Sequence, residues 1–299
     1  MKLGLGTVQF GLDYGISNRN GQTSMNEVVR ILAYASANDV SVLDTAALYG
    51  ESEEVLGKVL SGENRAPFKI VTKTPGFRKA ILTEKDADVL EQTFLDSLKK
   101  LHRPSVYGLL LHDCDDAKTP GSEIILERMK QLRSRGLVQK IGVSAYNPVQ
   151  VDRVMERTSI DIVQVPFNVL DQRFQRSGCF SRLKNRGVEI HTRSAFLQGA
   201  LLADPTSLPP HFAPHLWRFE RFHAVSAAAG LTPLAAALGF VLNRQEVDCC
   251  VIGVSTCSEL TEVLQAEARH ACHIDFTEVS SEDEALINPS QWGGAQQRS

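Results

Sequence analysis

The stretch from Val106 to His112 reads VYGLLLH, an apolar run that closes on a histidine. Continuous apolar character, without a polar residue at every second position, is typical of a parallel strand that is buried on both faces. Short strand-like runs of this kind alternate with helical patterns along the chain. The predicted strands are Leu3–Val8, Val40–Asp44, Phe68–Lys73, Val106–Leu111, Val138–Ser144, Ile160–Val165, Val188–Arg193 and Cys249–Val254. Eight β-then-α units predict an α/β fold of the (β/α)8 TIM-barrel class.

The length and composition agree with one such barrel. The chain has 299 residues and a mass of 32.9 kDa, which exceeds most single cores but is usual for an α/β barrel. We therefore expect a single domain over residues 1–299. With 43% hydrophobic and 22% charged residues, a disordered or fibrous chain is excluded. A net charge of −3 offers no general attraction to nucleic acid or anionic membranes, so we expect neither as a partner.

No export signal, membrane span or metal site is expected. The N-terminal stretch MKLGLGTVQFG has too short an apolar run for a secretory signal. The uncharged stretch Val225–Leu242 is interrupted by Gly230, Thr232 and Pro233, which favours two buried Ala-rich helices. We therefore expect a cytoplasmic protein whose six cysteines are free thiols. The spacing of its cysteines and histidines matches no metal-ligand pattern.

Several helix starts can be recognised from the sequence. Capping boxes are predicted at Ser24 with Glu27 and at Thr256 with Glu259, and Thr232 precedes a proline at the first helical position. The proline-rich segment Leu201–Trp217 is unsuited to a helix interior, so we expect a long functional loop at about residues 200–217 after strand seven. The tail at residues 290–299 is expected to be mobile.

Ionisable side chains stand at the ends of three consecutive predicted strands. Asp44 ends the second strand, Lys73 ends the third, and His112 follows the fourth. Each residue alone is compatible with a structural role, as a turn cap, a solvated strand end or a satisfied core histidine. Catalytic groups of TIM barrels come from the C-terminal ends of several strands, and the shared position therefore favours an active site.

The segment from Asp44 to Glu53, D-T-A-x-x-Y-G-x-S-E, together with the lysine that ends the next strand and the histidine of LLLHD, resembles the signature of the aldo-keto reductase superfamily. The resemblance covers essentially the whole chain. It implies a barrel that reduces a small-molecule aldehyde or ketone with a nicotinamide cofactor. It also implies a catalytic tetrad at Asp44, Tyr49, Lys73 and His112.

The chemistry of such a site explains these residue types. Hydride transfer to a carbonyl carbon leaves negative charge on oxygen, which needs a proton donor and oriented hydrogen-bond donors. Tyr49 is the expected acid, and the Lys73 ammonium would bring its pKa down from roughly 10 towards working pH. Asp44 would hold Lys73 cationic, and His112 would orient the carbonyl oxygen.

The resemblance also implies a set of cofactor contacts. They fall on Thr7, Asp44, Ser144, Gln164, Arg193, Ser194, Phe196, Leu197, Gly199, Gly253, Ser255, Thr256, Glu259 and Glu262. Ser144 and Gln164 would bind the nicotinamide carboxamide. Arg193 stands where the family normally has an aromatic residue stacked on nicotinamide, and a guanidinium plane is able to stack. The turn after Gly253 leads into a helix whose N–H groups favour a phosphate, although a plain strand-to-helix turn has the same pattern.

The resemblance favours NADP(H) over NAD(H), because the family mostly uses NADP(H). Glu259 and Val263 stand where the family often has a glutamine or arginine and an asparagine. A carboxylate at position 259 disfavours a 2′-phosphate and suits an unmodified ribose. Basic compensation is expected from Arg218 or Arg221.

Two other functions remain open from the sequence. A redox-sensing or regulatory barrel would bind nucleotide with little turnover, and the intact tetrad argues against it. A barrel lyase or isomerase would need a different acid-base set and no dinucleotide groove. The substrate pocket is expected to be partly aromatic, lined by Phe10, Tyr14, Phe212, Trp217 and Trp292. The substrate and the oligomeric state follow from no feature of the sequence.

Overall fold

Eight parallel strands close into a barrel in the computed structural model, which describes residues 2–15, 21–61, 67–267 and 274–292. The strands follow one another around the barrel in chain order. They are β1 (Leu3–Gly6), β2 (Val42–Asp44), β3 (Lys69–Lys73), β4 (Val106–Leu111), β5 (Val138–Ser144), β6 (Ile162–Pro166), β7 (Glu189–Arg193) and β8 (Cys249–Gly253). The predicted single-domain (β/α)8 barrel is confirmed.

Helices cover the outside of the barrel and bury the outward side chains of the strands. They are α1 (Val8–Gly11), α2 (Met25–Ala37), α3 (Ser52–Leu60), α4 (Glu84–Lys100), α5 (Ser122–Ser134), α6 (Pro148–Arg157), α7 (Arg173–Arg176), α8 (Cys179–Asn185), α9 (Leu216–Ala228), α10 (Pro233–Leu242), α11 (Cys257–Glu267) and α12 (Glu284–Ile287). The apolar faces of these helices and the outer faces of the strands form one continuous core.

The barrel interior is layered along its axis. Its middle layer is apolar and consists of Val42, Val71, Leu110, Ile162, Cys249 and Val251. Towards the N-terminal ends of the strands lies a polar cluster in which Glu189 accepts a hydrogen bond from Tyr107 Oη at 2.6 Å and also pairs with Lys140 and buried His191. Burial would raise the pKa of Glu189, but these partners hold it well below its usual range.

The C-terminal ends of β1 and β6 differ from the expected ones. β1 ends at Gly6 because helix α1 already begins at Val8. β6 continues past its expected end to Pro166, which is paired with Arg193 of β7. The C-terminal ends of β2, β3, β4, β5 and β7 lie where the sequence predicted them.

The predicted helix starts are confirmed in part. Thr232 accepts from the Ala235 N–H, with Pro233 at the first helical position. Ser24 accepts from the Glu27 N–H at 3.4 Å, but the Glu27 carboxylate does not complete the box; its Oε1 accepts from the Cys257 N–H at the head of α11. Carboxylates reach the nearest unpartnered amides, and here such an amide belongs to another helix.

The expected loop at about residues 200–217 contains two 3₁₀ turns, Pro205–Ser207 and Pro210–His215. Helix α9 begins at Leu216, so Trp217 is helical and the loop is shorter than expected. In the expected tail at 290–299, Pro289–Gln291 forms a further 3₁₀ turn, and residues 293–299 lie outside the described residues. Five cysteines are free thiols, and Cys272 lies outside the described part.

Among the described helices, none is by itself long and apolar enough to cross a membrane. The segments Pro210–Ala228 and Pro233–Leu242 together have the length and composition of a span, but they meet at 90°. Eight of the residues of α10 are buried in the protein, as expected. The expectation of a second buried Ala-rich helix is wrong for the end of α9, where Ala227 and Ala228 are exposed.

A close contact between β5 and β6 fixes the positions of two strand ends at the barrel mouth. Gly142 of β5 is paired with Ile162 of β6, two residues before Ser144 and Gln164. A Cβ at Gly142 would lie 1.7 Å from Ile162 O, so any side chain there would push the strands apart.

We expect Gly142→Ala to lower the free energy of unfolding by about 1 to 3 kcal/mol, the usual cost of overpacking a core. Urea denaturation measures the change. Gly76→Ala is the matched control, because a Cβ there comes no closer than 3.5 Å to Asp113. The control should change the free energy by less than about 0.5 kcal/mol. Equal destabilisation by both variants would contradict the close strand contact.

Candidate active site

The C-terminal ends of the strands bring most of the predicted site residues to one mouth of the barrel. Five of these residues are the last of their strands: Asp44 of β2, Lys73 of β3, Ser144 of β5, Arg193 of β7 and Gly253 of β8. His112 follows β4 directly, and Gln164 lies inside β6. Register pairs Ser144 with Gln164, so neighbouring strands present their polar groups at one level.

A buried ammonium lies at the centre of this mouth. Lys73 Nζ lies 2.7 Å from Asp44 Oδ2, and it donates to Thr45 O at 2.9 Å and to the Tyr49 hydroxyl at 3.4 Å. Both charged side chains are almost inaccessible, with 1% of Lys73 and 6% of Asp44 exposed. A charge removed from water needs such partners, because its desolvation is otherwise uncompensated.

The second carboxylate oxygen of Asp44 is also used. Gln164 Nε2 donates to Asp44 Oδ1 at 2.6 Å. Thr7 Oγ1 donates to the Asp44 backbone carbonyl at 3.0 Å. Two of the residues expected to contact a cofactor therefore hold the aspartate in place within the protein.

The turn that carries Tyr49 is held by its own network. Ser52 Oγ donates to Thr7 O at 2.8 Å and lies 3.1 Å from Thr45 Oγ1, and the Ser52 N–H donates to Tyr49 O. Gly11 packs so closely on this turn that a Cβ would lie 1.9 Å from Tyr49 O. Ser52 is part of the motif quoted from the sequence, but the contacts of its hydroxyl with Thr7 and Thr45 depend on the fold.

Tyr49 and Lys73 affect each other through charge. Burial raises the pKa of Tyr49 and the Lys73 ammonium lowers it by less, so the phenol pKa lies above its usual value. Lys73 acts on this pKa in the expected direction, but the larger effect of burial, which the sequence did not indicate, sets the net direction. Burial also acts to lower the pKa of Lys73, but Asp44 and Tyr49 hold it above its usual value. Tyr49 is thus protonated and Lys73 charged at neutral pH.

His112 completes the group as a neutral imidazole. Its ring lies 6.0 Å from the Tyr49 ring in an edge-to-face arrangement at 83°. Burial, followed by the charges of Lys73, Arg193 and Arg78, lowers the His112 pKa to about 3. Its Nδ1 is buried without a hydrogen-bond partner in the part of the chain that the structure describes.

The segment after β7 forms a strained turn beside these groups. Ser194, Leu197 and Gln198 have φ of 62°, 48° and 53°, and Gly199 has 93°. Asn168 Nδ2 donates to Ser194 O at 3.0 Å and Gln198 Nε2 donates to the Tyr14 hydroxyl at 3.0 Å. Non-glycine residues in this conformation cost free energy and are concentrated at functional sites.

The guanidinium of Arg193, which was expected to stack on nicotinamide, packs on a tyrosine ring of the protein. Its Cζ lies 4.3 Å from the centre of the Tyr146 ring, and Nη2 reaches Ala145 O at 3.5 Å. One face of the guanidinium therefore already has an aromatic partner. Nothing in the sequence around Tyr146 pointed to this contact.

The head of α11 carries carboxylates where a phosphate was expected. The Ser255 N–H donates to Glu259 Oε2 at 2.6 Å, and the Cys257 N–H donates to Glu27 Oε1 at 2.6 Å. Thr256 Oγ1 accepts from the Glu259 N–H at 3.1 Å, which confirms its capping role. Glu262 is exposed on the next turn. Glu27 was missed because it comes from α2.

Arg218 and Arg221, from which basic compensation was expected, contact the segment around Val279. Arg218 Nη1 donates to the backbone oxygens of Val279 and Ser280, and Arg221 pairs with Glu278 at 2.9 Å. Both arginines sit on α9, which packs on the 3₁₀ turn Thr277–Val279.

The expected aromatic lining of the substrate pocket is wrong for Phe10 and Phe212. Phe10 and Phe212 are fully buried and offer no surface to a ligand. Trp292 packs edge-to-face on Phe212 at 5.0 Å, and the Trp217 ring lies under Arg218. Tyr14 lies near the tetrad, and burial, with the Tyr49 charge, raises its pKa to about 12. Groups of three or more metal-ligating side chains do not occur in the described ranges.

The chain is similar to several characterised oxidoreductases. It is 28% identical over 120 residues to D-arabinose 1-dehydrogenase of Saccharomyces cerevisiae, a match covering 39% of this chain and 36% of that protein. The chain thus aligns with little more than a third of that relative's length. It is 25% identical over 262 residues to pyridoxine 4-dehydrogenase of Escherichia coli, covering 81% of this chain and 82% of that protein.

Solved structures and a family model extend the comparison. The holo form of an aldo-keto reductase from Bacillus halodurans superposes with a TM-score of 0.74 at 19% identity, covering 97% of this chain and 94% of that one. At this identity the likeness concerns the fold. The model of the Aldo/keto reductase family matches residues 2–282, nearly the whole sequence. The chain therefore belongs to the aldo/keto reductase family.

Proposed function

We propose that this protein catalyses the NAD(P)H-dependent reduction of an aldehyde or ketone to an alcohol, a reversible hydride transfer, with Tyr49 as the general acid. The observation that carries the proposal is the buried ammonium of Lys73, held between the Asp44 carboxylate at 2.7 Å and the Tyr49 hydroxyl at 3.4 Å. A neutral imidazole stands beside this hydroxyl. The substrate is a small-molecule carbonyl compound.

The residues divide the work around the carbonyl oxygen. Tyr49 holds its proton at neutral pH and gives it to the oxygen as negative charge develops there. The Lys73 ammonium stabilises the phenolate that remains, and Asp44 keeps Lys73 charged and aimed. His112, neutral in the same range, donates one hydrogen bond that orients the oxygen.

The mouth fits a nicotinamide dinucleotide, which supplies the hydride when bound. Ser144 at the end of β5 and Gln164 inside β6 lie side by side and would offer a hydroxyl and an amide to a carboxamide. At the end of β8, the side chain of Gln9 lies over Gly253, and its Oε1 is buried without a partner within the described residues. Unpartnered polar groups beside a cleft suit a polar ligand.

A regulatory barrel with little turnover is the less favoured function. Such a protein needs only a nucleotide site and has no use for a proton donor held beside a buried ammonium. Burying Lys73 and Asp44 away from water has a desolvation cost. A catalytic role of the ammonium beside Tyr49 accounts for a buried charge pair at this position.

The two carboxylates at the head of α11 bear on the choice of dinucleotide. If this helix faces the adenosine ribose, as the resemblance implies, Glu27 and Glu259 already occupy the amides that would hold a 2′-phosphate. Their negative charge repels that phosphate. These carboxylate contacts favour NAD(H). The expectation of NADP(H) rested only on the cofactor that most members of the family use.

Tyr49→Phe should lower kcat for carbonyl reduction by at least about a hundredfold, because the variant loses general acid catalysis but keeps the ring. Steady-state kinetics with any accepted aldehyde measure the loss. The dissociation constant of the cofactor, followed by fluorescence quenching, should not change. Turnover near that of the wild type would remove Tyr49 from the mechanism.

Lys73→Met and Asp44→Asn should each lower kcat, and the double variant should lose less than the sum of the two in activation free energy. The reason is that Asp44 acts through Lys73, whose Nζ it contacts at 2.7 Å. A double-mutant cycle on kcat/KM measures this coupling. Strictly additive losses would show that the two residues act separately.

Glu259→Arg should tighten NADPH relative to NADH by roughly 1 to 3 kcal/mol, since it replaces repulsion with a charge-assisted phosphate contact. Glu259 is exposed and screened by salt, so the low end is expected. The ratio of the two dissociation constants at fixed ionic strength is the measurement. Glu123→Arg, the same change in the first turn of α5, is the control and should leave the ratio unaltered. An unchanged ratio in Glu259→Arg would place this residue outside the cofactor groove.

A further inference from the structure

Arg193 is a cation at the barrel mouth that has no acidic partner. As the last residue of β7 it is paired with Pro166 of β6, two residues after Gln164. Its polar contact is one long hydrogen bond to Ala145 O at 3.5 Å, and the Tyr146 ring lies under its guanidinium. Among the residues that the structure describes, no carboxylate forms an ion pair with it. A guanidinium has five donors, so most of its hydrogen-bonding capacity is unused.

Two other partly buried arginines of the protein have acidic partners. Arg173 pairs with Asp171 at 2.8 Å and also with Glu284, and Arg128 contacts Glu91 at 2.9 Å and two further carboxylates. Arg218 instead lies over the Trp217 ring and donates to backbone oxygens, so an acidic partner is not general among the partly buried arginines. Arg193 is held by an aromatic face and a backbone oxygen, which position the guanidinium without neutralising it.

The charge at the mouth does not balance within the protein. Asp44 and Lys73 cancel each other, while Tyr49 and His112 are neutral near pH 7. The positive charge of Arg193 remains. It acts on the same groups that surround the reaction, since it lowers the pKa of Tyr14, Tyr49 and His112. Arg193, as the last residue of β7, lies at the same barrel mouth as the proton donor.

The surroundings of Arg193 are polar and rigid. The next residue, Ser194, begins the strained turn with φ of 62°, and Gln198 in the same turn donates to Tyr14 at 3.0 Å. Gln198 Oε1 is buried with no hydrogen-bond partner among the described residues. Together these groups form a polar wall beside the tetrad, with an uncompensated cation in it.

We propose that Arg193 binds an anionic group of the substrate, a carboxylate or a phosphate carried by the molecule whose carbonyl is reduced. The inference rests on the proposed carbonyl reduction and narrows its substrate class to acidic aldehydes and ketones. The planar fork of the guanidinium matches two oxygens of such a group, and the Tyr146 ring holds that plane in position. The anion cancels the positive charge that the protein leaves at the mouth.

The test compares 4-carboxybenzaldehyde with its methyl ester, which has nearly the same shape and no charge, and with 4-formylphenyl phosphate. Arg193→Gln should lower kcat/KM for the acid by about 10- to 100-fold and for the ester by less than about threefold. Arg193→Lys should recover part of the loss. Calorimetry of 4-(hydroxymethyl)benzoate binding to the enzyme with NADH, a pair that cannot react, should show the same weakening without turnover.

Arg78→Gln is the matched control. Arg78 also acts on His112, but it is paired with Asp113 at 3.3 Å and is highly exposed. Its loss should change the acid-to-ester ratio by less than about twofold. A preference for the phosphate over the carboxylate would identify the anion as a phosphate and support the proposal.

Equal losses for acid and ester in Arg193→Gln would overturn the inference. A weaker dissociation constant for NADH in that variant would overturn it too, and would assign Arg193 to the cofactor. If the wild type reduces the ester as well as the acid, only the anionic substrate class fails. If the wild type reduces none of these aldehydes with NADH or NADPH, the proposed function itself fails.

Discussion

The ion pair between Lys73 and Asp44 is the contact on which the site depends. Both groups are removed from water at the barrel mouth, and each is stable there only because the other is present. The surrounding polar groups complete the arrangement: Gln164 and Thr7 bind Asp44, and the carbonyl of Thr45 accepts from Lys73. Three strands, β2, β3 and β6, and the residues that follow β1 and β2 are thereby tied to one buried charge pair. The Lys73 ammonium has three N–H donors, and Asp44 and Thr45 accept from two of them. The third donor is directed at the Tyr49 hydroxyl.

Much of the fold and of the tetrad could be predicted from the sequence because both depend on local patterns. Apolar runs define the strands, and the rule that catalytic groups sit at strand ends selects Asp44, Lys73 and His112. The missed features depend on distance along the chain. Glu27 and Cys257 are 230 positions apart, so no local pattern reveals that the carboxylate of one caps the helix of the other. The burial of Phe212 and the contact of Arg193 with Tyr146 likewise come from loop packing. For Tyr49, the sequence indicated the neighbouring cation, but the larger effect of burial is a property of the closed barrel.

The layered interior separates two polar regions of the barrel. The apolar layer with Val71 and Leu110 lies between the tetrad and the cluster around Glu189. At the far end, the carboxylate of Glu189 is paired with the ammonium of Lys140, and their opposite charges largely cancel at the distance of the mouth. The charge that a ligand encounters is therefore set by the residues of the mouth itself, with Arg193 and the acidic head of α11 at different places on it.

The closure between β1 and β8 has a consequence for how the chain acquires its shape. Lys2 donates to the backbone of Arg244, 242 positions away, and the pairing of Leu3 with Cys250 seals the barrel beside it. Contacts of such high sequence separation slow folding, because loop-closure entropy is spent before they form. During synthesis, β1 emerges from the ribosome long before its partner exists, and its open edge is able to pair with other strands meanwhile. The glycines of β1, Gly4 and Gly6, make this strand narrow enough for the final seam. Because glycine has no side chain, Gly4 and Gly6 also limit the apolar surface that β1 exposes to other chains before β8 is synthesised.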